Sequence, residues 1–416
     1  MKFSNFSLDE KIQAAISKKG YLNATPIQQQ AIPLILANDD VMARAQTGTG
    51  KTAAFALPIL SSLMSQHSEN VHIRGLVLVP TRELAQQVNN SFINYGKYSH
   101  VRSLMVYGGV SINSQIEQLN SGVDILVATP GRLIDLLINS HVNLKFVQTL
   151  VLDEADRILD LGFKSEIEKI FEFLPTKHQT LLFSATFDDA IFKLSKSLLN
   201  KPKVISVDDS STVATGIEQT VYTVDADKKR ELTSFLIGSK NWQQVLIFTR
   251  TKKSADELAK EMCKDGIKTL SLHGDKSQGA REKSLAEFKE GKCRALVATD
   301  VAARGLDIVD LQYVINFELP YVAEDYVHRI GRTARAGKSG QAISLLSPNE
   351  EWLLNAIEEV LDYRLLQQWL PGYEPDLTKL TQPRKSGEKQ RARKRSLSES
   401  KNKKKYRKPS TNSQSK

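Results

Sequence analysis

Cysteine is scarce in this sequence, and long apolar runs are missing. Only Cys263 and Cys293 occur in 416 residues, too few for a disulfide framework, and neither has a cysteine or histidine nearby at zinc-finger spacing. No apolar run approaches the roughly 18 residues that a membrane span requires. The opening residues, MKFSNFSLDE, place acidic residues where a signal peptide needs its apolar stretch. We therefore expect a soluble, cytoplasmic protein with no membrane partner and no structural metal cluster.

The composition is that of an ordinary globular protein, but the charge is unevenly distributed. Hydrophobic residues make up 41% and charged residues 25% of a chain long enough for two domains and a tail. The net charge is +10, and residues 384–416 hold fourteen Lys and Arg against two acids. This basic tail has too few apolar residues to offset the entropy of ordering it, which predicts disorder. It can serve as a non-specific tether to phosphate polyanions or as a solubilising tail.

Short apolar runs alternate with longer amphipathic stretches in two successive series. Near-continuous leucine and β-branched runs are typical of central strands in a parallel sheet that is covered on both faces. The runs lie at 75–80, 124–129, 149–156 and 180–186, and then at 244–249, 269–274, 294–300, 313–320 and 341–347. The sequence LVATPGR (126–132) also resembles LVATDVAAR (296–304), which fits two related sheets.

Between the two series, the polar and turn-rich residues 207–216 indicate a linker. We predict an α/β protein with two tandem parallel-sheet domains. The predicted boundaries are 1–207 for the first domain, 208–217 for a flexible linker, 218–370 for the second domain and 371–416 for a disordered basic tail.

Residues 45–52, AQTGTGKT, form the sharpest local motif. They stand between two apolar stretches, in the strand–loop–helix context of a phosphate loop. Glycines let backbone N–H groups turn towards phosphate oxygens, and the helix N-terminus adds its positive dipole end. Lys51 would then reach the β- and γ-phosphates, and the Thr52 hydroxyl would bind magnesium. Ala45 replaces the first glycine of the usual pattern, but an ordinary glycine-rich turn is the less favoured interpretation.

Asp153 and Glu154 follow the apolar run at 150–152, where a buried strand is expected to end. Ligands of open α/β sheets bind at the carboxyl ends of the strands. Asp153 suits a magnesium ion, partly through water, and Glu154 can orient and deprotonate the attacking water. Taken alone, such a pair is usually a solvated strand end. Together with the phosphate loop, it predicts a site that hydrolyses a nucleoside triphosphate.

In one-letter code, residues 153–156 read DEAD, which is the name of a family. From Phe3 to about residue 348, the sequence resembles the DEAD-box ATP-dependent RNA helicases. The resemblance implies two RecA-like domains, ATP and Mg²⁺ as ligands, and RNA as the partner. Residues 20–28 resemble the adenine-reading motif, in which Gln28 supplies an amide and Tyr21 a stacking face. The implied ATP-binding residues are Phe3, Tyr21, Gln28, Gln46, Thr47, Gly48, Thr49, Gly50, Lys51, Thr52 and Asp307.

Further motifs resemble the RNA-contacting segments of the family. In the first half, each places a hydroxyl, an arginine or bare glycine backbone at a strand-to-helix junction, and such groups can hold sugar–phosphate without reading bases. The implied RNA-binding residues are Pro80, Thr81, Arg82, Gly109, Thr129 and Arg132 in the first half and Gly274, Gln278, Arg281, Thr299 and Arg304 in the second.

The second half has no phosphate loop, so we expect it not to bind ATP alone. Its YVHRIGRTAR (326–335) resembles the family's HRxGRxxR motif, although a basic helix in solvent is the simpler alternative. The resemblance implies that Arg332 and Arg335 reach the γ-phosphate across the domain cleft, and an arginine finger contributes about 10³–10⁵ in rate. The implied catalytic residues are Lys51, Asp153, Glu154, Arg332 and Arg335.

Three residues are implied in coupling hydrolysis to strand separation, namely Ser184, Thr186 and His328, although Ser184 and Thr186 are equally compatible with a helix cap. Two other classes of protein stay open, a non-enzymatic RNA-binding protein and a DNA translocase. The basic tail and the absence of large insertions resemble the bacterial RhlE-like branch. The RNA itself is open, because ribosomal precursors, substrates of the RNA-decay machinery and cold-stabilised structures all present short duplexes.

Overall fold

The computed structural model of this protein contains two parallel β-sheets, one in each half of the chain. It describes residues 1–45, 48–65, 72–207, 216–303, 311–333 and 339–376. Within these ranges each sheet has seven strands, and all neighbouring strands are parallel. The predicted α/β fold with two tandem parallel-sheet domains is confirmed.

The first domain is built around a sheet with the strand order β3-β4-β2-β5-β6-β1-β7. Its strands are β1 (Val41–Arg44), β2 (Gly75–Leu78), β3 (Ser103–Val106), β4 (Ile125–Ala128), β5 (Thr149–Leu152), β6 (Gln179–Ser184) and β7 (Lys203–Ser206). Its helices are α1 (Glu10–Lys18), α2 (Pro26–Leu36), α3 (Lys51–Met64), α4 (Arg82–Tyr95), α5 (Ile112–Asn120), α6 (Pro130–Ile138), α7 (Ala155–Asp160), α8 (Lys164–Glu172) and α9 (Asp189–Leu198).

The second domain contains a sheet with the strand order β10-β11-β9-β12-β13-β8-β14. Its strands are β8 (Ile217–Thr223), β9 (Val245–Thr249), β10 (Thr269–Leu272), β11 (Ala295–Thr299), β12 (Tyr313–Asn316), β13 (Gly340–Leu346) and β14 (Gln367–Gln368). Its helices are α10 (Lys229–Ser239), α11 (Lys252–Lys264), α12 (Gln278–Lys289), α13 (Asp300–Ala303), α14 (Ala323–Ile330) and α15 (Glu351–Leu361).

The central strands bury side chains on both faces, which explains their continuous apolar sequences. Successive side chains of a strand point to opposite faces, so Val77 of β2 packs in the core that contains α2, α3 and α4, whereas Leu76 and Leu78 pack in the core that contains α6 and α8. In the second sheet, Val245 and Leu246 divide between two cores in the same way. No helix in the described ranges is long and apolar enough to cross a membrane.

The two sheets have the same topology. When the strands of each domain are numbered from its own first strand, both orders read 3-4-2-5-6-1-7. The first three residues of the repeated LVAT sequence lie in β4 and in β11, which are both the second strand from the same edge. The sequence similarity therefore marks equivalent strands of two related domains.

The ends of the second domain differ from the predicted boundaries. Strand β8 begins at Ile217, the last residue of the predicted linker. At the other end, Tyr373 packs against Phe235 with ring centroids 5.6 Å apart, and the backbone N–H of Asp376 donates to Asp225 at 3.2 Å. The chain past residue 370 thus still packs on the second domain, where Tyr373 lies against its core. The basic segment 384–416 lies outside the described residues.

Candidate active site

Two glycines with left-handed backbone conformation precede helix α3. Gly48 has φ 88° and Gly50 has φ 92°, a conformation that favours glycine. Lys51 is the first residue of α3, and Thr52 follows it, so both side chains start from a helix N-terminus. This is the predicted strand–loop–helix arrangement after β1. Gln46 and Thr47, both predicted to bind ATP, lie outside the described residues.

Gly50 is also required because Gln28 lies against it. A Cβ on Gly50 would stand 2.3 Å from Gln28 Nε2, which donates to the Gly50 carbonyl at 3.1 Å. Gln28 Oε1 accepts the backbone N–H of Thr25 at 2.9 Å. These two bonds fix the orientation of the buried amide and leave it one N–H and one lone pair for a ligand. The predicted adenine-reading residue is therefore joined directly to the phosphate loop.

The ammonium group of Lys51 is buried without a hydrogen bond. The residue is 6% exposed, and Nζ has no hydrogen-bond partner among the described residues. A buried cation in this state is costly unless an anion reaches it. The position and charge of Lys51 fit the phosphates of a nucleotide.

Asp153 and Glu154 lie at the end of β5, as predicted, and face the same cleft. Burial raises the pKa of Asp153 to about 6, against the opposing charge of Lys51. Burial alone would also raise the pKa of Glu154, but Arg157, Lys51 and Arg332 outweigh it and hold the pKa below its usual range. Glu154 therefore stays ionised, while Asp153 is poised to lose a proton near pH 6.

The backbone at Glu154 is left-handed, with φ 51° and ψ 53°, and this residue is the N-cap of α7. Few non-glycine residues adopt this region, and those that do cluster at functional sites. The turn directs Glu154 into the cleft, where Oε2 lies 3.4 Å from Arg157 Nη1. The sequence predicted the carboxylate but contains no signal for this conformation.

Asp156 has a role that the sequence interpretation missed. Its Oδ2 accepts the backbone N–H of Ala185 at 3.1 Å and lies 3.5 Å from the Thr186 hydroxyl. Ser184, fully buried at the end of β6, accepts the backbone N–H of Thr186 at 3.4 Å. The predicted coupling segment is thus tied to the acidic motif, a contact that no spacing in the sequence predicts.

A cleft of about 710 Å³ runs between the two domains and collects these groups. Among the residues that line it are, from the first domain, Phe3, Tyr21, Gln28, Gly48, Gly50, Lys51, Thr52, Asp153 and Glu154, and from the second domain Arg332. Arg332 is 4% exposed, and its charge helps to lower the pKa of Glu154. One predicted arginine finger therefore meets the phosphate loop and the carboxylates in one site.

A smaller space adjoins this cleft and also lies between the domains. It shares Lys51, Glu154 and Arg332 with the main cleft and is lined in addition by Thr186 and His328. His328 Nδ1 lies 3.8 Å from Asp325 Oδ1 on the same helix. Two predicted coupling residues, one from each domain, therefore face each other beside the site.

The far end of the cleft is aromatic, as expected for a base. Phe3 and Tyr21 stack with ring centroids 6.4 Å apart at 24°, and Tyr21 is 41% exposed. One face of α4 also lines this end, through Leu84, Gln87, Ser91 and Tyr95. Their spacing of three and four residues places them on one side of a helix, but the sequence interpretation did not assign them.

Arg329 shows that not every arginine of the HRxGRxxR motif faces the cleft. It is 1% exposed and binds Asp300 through Nε and Nη2 at 2.6 and 2.7 Å. Its Nη1 donates to the carbonyl of Glu318 at 2.6 Å. Arg329 therefore holds α14 on the sheet, which agrees with the assignment of the fingers to the later arginines.

The predicted RNA-binding residues of the first domain lie at strand-to-helix junctions. Thr81 caps α4 and accepts the N–H of Leu84 at 3.3 Å, and the buried Thr129 is the N-cap of α6. Gly109 has φ 80°, and a Cβ there would stand 2.2 Å from Arg82 Nη2. The other two predicted residues of this domain, Pro80 and Arg132, are buried. Arg132 donates to the carbonyl of Val110 at 2.9 Å.

In the second domain the predicted RNA-binding residues are less uniform. Gly274 is exposed, and Thr299 is the buried last residue of β11. Gln278 begins α12 and donates to Glu282 at 2.9 Å. Arg281 instead reaches the other domain, where Nη2 lies 2.6 Å from Glu83 Oε1. Three further predicted site residues lie outside the described residues, namely Arg304, Asp307 and Arg335.

The second sheet carries its own ion pairs at the edge equivalent to the one that holds Lys51 and Glu154. Lys229 is the first residue of α10, as Lys51 is of α3, and its Nζ lies 2.8 Å from Glu350 Oε2. Glu318 stands two residues after β12, as Glu154 does after β5, and accepts the backbone N–H of Arg250 at 2.6 Å. Lys229 thus donates a hydrogen bond to a carboxylate of its own domain, whereas Lys51 Nζ has no hydrogen-bond partner among the described residues.

The donor set suits Mg²⁺ bound together with a nucleotide. Mg²⁺ usually takes one or two protein ligands and completes its octahedron with phosphate and water oxygens. Thr52 and Asp153 line one cleft and offer a hydroxyl and a carboxylate. In the described part of the chain, no group of three or more His, Cys, Asp and Glu side chains forms a metal site.

Comparison with known proteins gives concordant matches. A family model described as DEAD/DEAH box helicase matches residues 25–194, and one described as helicase conserved C-terminal domain matches residues 227–337. The chain is 42% identical over 361 residues to the DEAD-box ATP-dependent RNA helicase RhpA of Helicobacter pylori, covering 86% of this chain and 72% of that one. It is 43% identical to the ATP-dependent RNA helicase CshA of Listeria monocytogenes, covering 90% and 71%.

A solved structure resembles both domains together. Dbp5 of S. cerevisiae bound to RNA and ADP BeF3 superimposes with a TM-score of 0.80 at 31% identity, covering 88% of this chain and 95% of that chain. A superposition of this extent includes the relative placement of the domains. The two sheets here are thus arranged as in that complex.

Proposed function

Because this chain belongs to the DEAD-box family of ATP-dependent RNA helicases, we propose that it hydrolyses ATP in the cleft between its domains. Closure of this cleft on RNA then unwinds short duplexes or remodels RNA–protein complexes. The predicted enzyme class, an RNA helicase with ATPase activity, is confirmed. The observation that carries the mechanism is that Arg332 of the second domain lines the same cleft as Lys51 and Glu154 of the first.

Each side of the cleft supplies a different part of the chemistry. Lys51 binds the β- and γ-phosphates, and Glu154, held ionised by its neighbours, orients the attacking water and accepts its proton. Arg332, with Arg335 by resemblance, stabilises the charge that develops on the transferred phosphoryl group. Bound Mg²⁺, held by Thr52 and Asp153, would neutralise phosphate charge. When the domains are apart, Arg332 is missing from the site and hydrolysis is slow.

RNA favours the closed state because its binding residues come from both domains. Thr81, Arg82 and Arg132 lie on the first domain, and Gly274 and Thr299 on the second. A ligand that contacts both domains binds the closed state better, so ATP and RNA should raise each other's affinity. The contact between Asp156 and the segment 184–186 would carry the state of the ATP site to this face.

We further propose that the chain belongs to the RhlE-like branch, acts in the cytoplasm and meets ribosomal precursors or the RNA-decay machinery. This proposal rests on the basic tail and the absence of large insertions. The relatives reported above, RhpA and CshA, do not identify the branch. RNA retained by the protein after crosslinking in cells would identify the substrate. Recovery of messenger fragments without ribosomal precursors would exclude the precursor part.

Phosphate release measured without nucleic acid, with RNA and with a DNA oligomer of the same sequence tests the function. We expect RNA to raise the rate at least about 10-fold, and Lys51→Ala and Glu154→Gln to lower it by about 10²-fold or more. Glu154→Gln should still bind ATP and RNA, and Glu168→Gln, an exposed glutamate of α8, is the matched control.

Three outcomes would contradict this proposal. Equal rates with and without RNA would exclude the coupling. Stimulation by DNA as strong as by RNA would favour a DNA translocase, since the 2′-hydroxyl is the local difference. RNA binding without any ATP hydrolysis would favour a non-enzymatic RNA-binding protein.

A further inference from the structure

An ion pair joins the two domains at the start of α4. Arg281 Nη2, on α12 of the second domain, lies 2.6 Å from Glu83 Oε1, on the first turn of α4. Both side chains are 13% exposed, so the two charges are largely withdrawn from water. Because the residues belong to different domains, the pair exists only when the domains are closed.

The surroundings of this pair are also shared by the two domains. Tyr107 of the first domain lies close to Glu282 of the second. Burial raises the pKa of Tyr107 most, and the charge of Glu282 raises it further. Arg82, beside Glu83, lies against Gly109 and also influences Tyr107. The first turn of α12 therefore docks on the junction that follows β2 and β3.

Helix α4 connects this pair to the nucleotide cleft. Glu83 is in its first turn, and four later residues, Leu84, Gln87, Ser91 and Tyr95, line the adenine end of the cleft. A helix of fourteen residues held in a core moves as one unit. A nucleotide packed against α4 would fix the position from which Glu83 meets Arg281.

The charge of Glu83 distinguishes the two roles that Arg281 could have. If Arg281 contacts RNA, a carboxylate beside it weakens the attraction to phosphate. If Arg281 binds Glu83, the carboxylate is needed, because removal of one partner leaves the other charge poorly hydrated in the closed state. The observed geometry is that of the second case.

We propose that Arg281 is a positioning residue that closes the domains through Glu83, in place of the RNA contact that its motif implies. The proposal rests on the proposed function, since it assigns the residue pair that stabilises the RNA- and ATP-bound state. Neither Glu83 nor Arg281 is among the described residues that line the cleft with Lys51 and Glu154. Their effect is on the population of the closed state.

RNA affinity measured with and without a non-hydrolysable ATP analogue tests this pair. In Glu83→Gln and in Arg281→Gln, the enhancement of RNA affinity by the analogue should fall about 5- to 30-fold, within the usual range of coupling between sites. The exchanged pair, Glu83→Arg with Arg281→Glu, should recover most of the enhancement. Arg230→Gln, which removes an arginine paired with Asp265 inside the second domain, is the matched control.

The exchanged pair and Glu83→Gln decide the outcome. If Arg281 binds RNA, Glu83→Gln keeps or increases RNA affinity and the exchanged pair is weaker than either single variant, which would overturn the proposal. Melting temperatures check that each variant is folded, and recovery in the exchanged pair excludes a folding defect as the cause. If RNA does not stimulate ATP hydrolysis by the unmodified protein, the proposed function fails. If RNA does stimulate it, and the ATP analogue enhances the RNA affinity of Glu83→Gln as much as that of the unmodified protein, only the role of the ion pair fails.

Discussion

Adjacent carboxyl groups at the end of β5 have pKa values shifted in opposite directions. The pKa of Asp153 is raised to about 6 by burial, whereas cations around Glu154 hold its pKa below the usual range. The pKa of Glu154 is lowered by the charges of Arg157, Lys51 and Arg332. For Asp153, burial outweighs the charge of Lys51, and the neighbouring carboxylates raise the pKa further. Two neighbouring acids thus differ in protonation, since Asp153 titrates near pH 6 and Glu154 remains ionised at neutral pH.

Asp153→Asn should stabilise the protein in the absence of nucleotide and Mg²⁺. An acid with a raised pKa binds more protons when folded than when unfolded, so its contribution to stability falls as pH rises between about 4 and 6. Above pH 6 the ionised form costs about 1–3 kcal/mol, which the amide avoids. Urea unfolding in EDTA at pH 7.5 should show this gain, with a smaller gain at pH 5.

Glu154→Gln is the control of opposite sign. The pKa of Glu154 is lowered, so its charge stabilises the folded protein above the ordinary pKa of a glutamate, and this contribution is lost as pH falls. The variant should not be more stable than the parent at pH 7.5. If Asp153→Asn also brought no gain at that pH, the raised pKa would be contradicted.

Individual residues could be predicted where a motif carries their chemistry. Lys51 and Glu154 were predicted from the chemistry of their motifs and Arg332 from the family resemblance, and the cleft contains all three. The contacts of Glu83 and Asp156 were not predicted. Glu83 pairs with Arg281 and Asp156 accepts from Ala185, and nothing in the local sequence indicates either partner. An acid in the first turn of a helix is explained equally well by the helix dipole.

At the scale of elements, the sequence predicted buried strands and missed exposed ones. The nine apolar runs correspond to strands between β2 and β13, most of them central in their sheets. The missed strands include β3, β7, β8 and β14, of which β3, β7 and β14 are sheet edges. An edge strand has partly exposed side chains, as in β7 with one buried residue of four, and so has no continuous apolar run.

Helix α4 shows what an element adds to its residues. The sequence interpretation assigned only its start, Thr81 and Arg82, to RNA. In the structure, the same helix makes an interdomain contact at Glu83 and lines the cleft as far as Tyr95. One helix therefore passes from the interdomain ion pair at Glu83 to the cleft that contains Lys51.

At the scale of the whole molecule, two domains of one topology differ in what their sheet edges hold. In the first, Lys51 has no hydrogen-bond partner among the described residues, and in the second, Lys229 is paired with Glu350. At the second edge, the Glu350 carboxylate supplies an anion to Lys229 from within the protein. Under the proposed function, the first domain therefore binds the nucleotide and the second contributes Arg332.

The basic tail belongs to this scale too, since its proposed effect is on the whole protein. Deletion of 384–416 should weaken RNA binding about 10-fold or more at low salt. The slope of log K against log salt should also become shallower, by about 0.7 for each phosphate of single-stranded RNA that the tail neutralises. Fluorescence anisotropy over a range of salt concentrations measures both. A tail of shuffled sequence should keep the affinity, and equal slopes with and without the tail would show that it only solubilises.

The most direct measurement is a crystal structure of the protein with ADP–beryllium fluoride, Mg²⁺ and an RNA oligomer. We expect Lys51 Nζ and the Arg332 guanidinium both to lie within hydrogen-bonding distance, about 3 Å, of the terminal phosphoryl mimic. Arg332 turned away from the nucleotide, with the two domains closed and RNA bound, would contradict the mechanism.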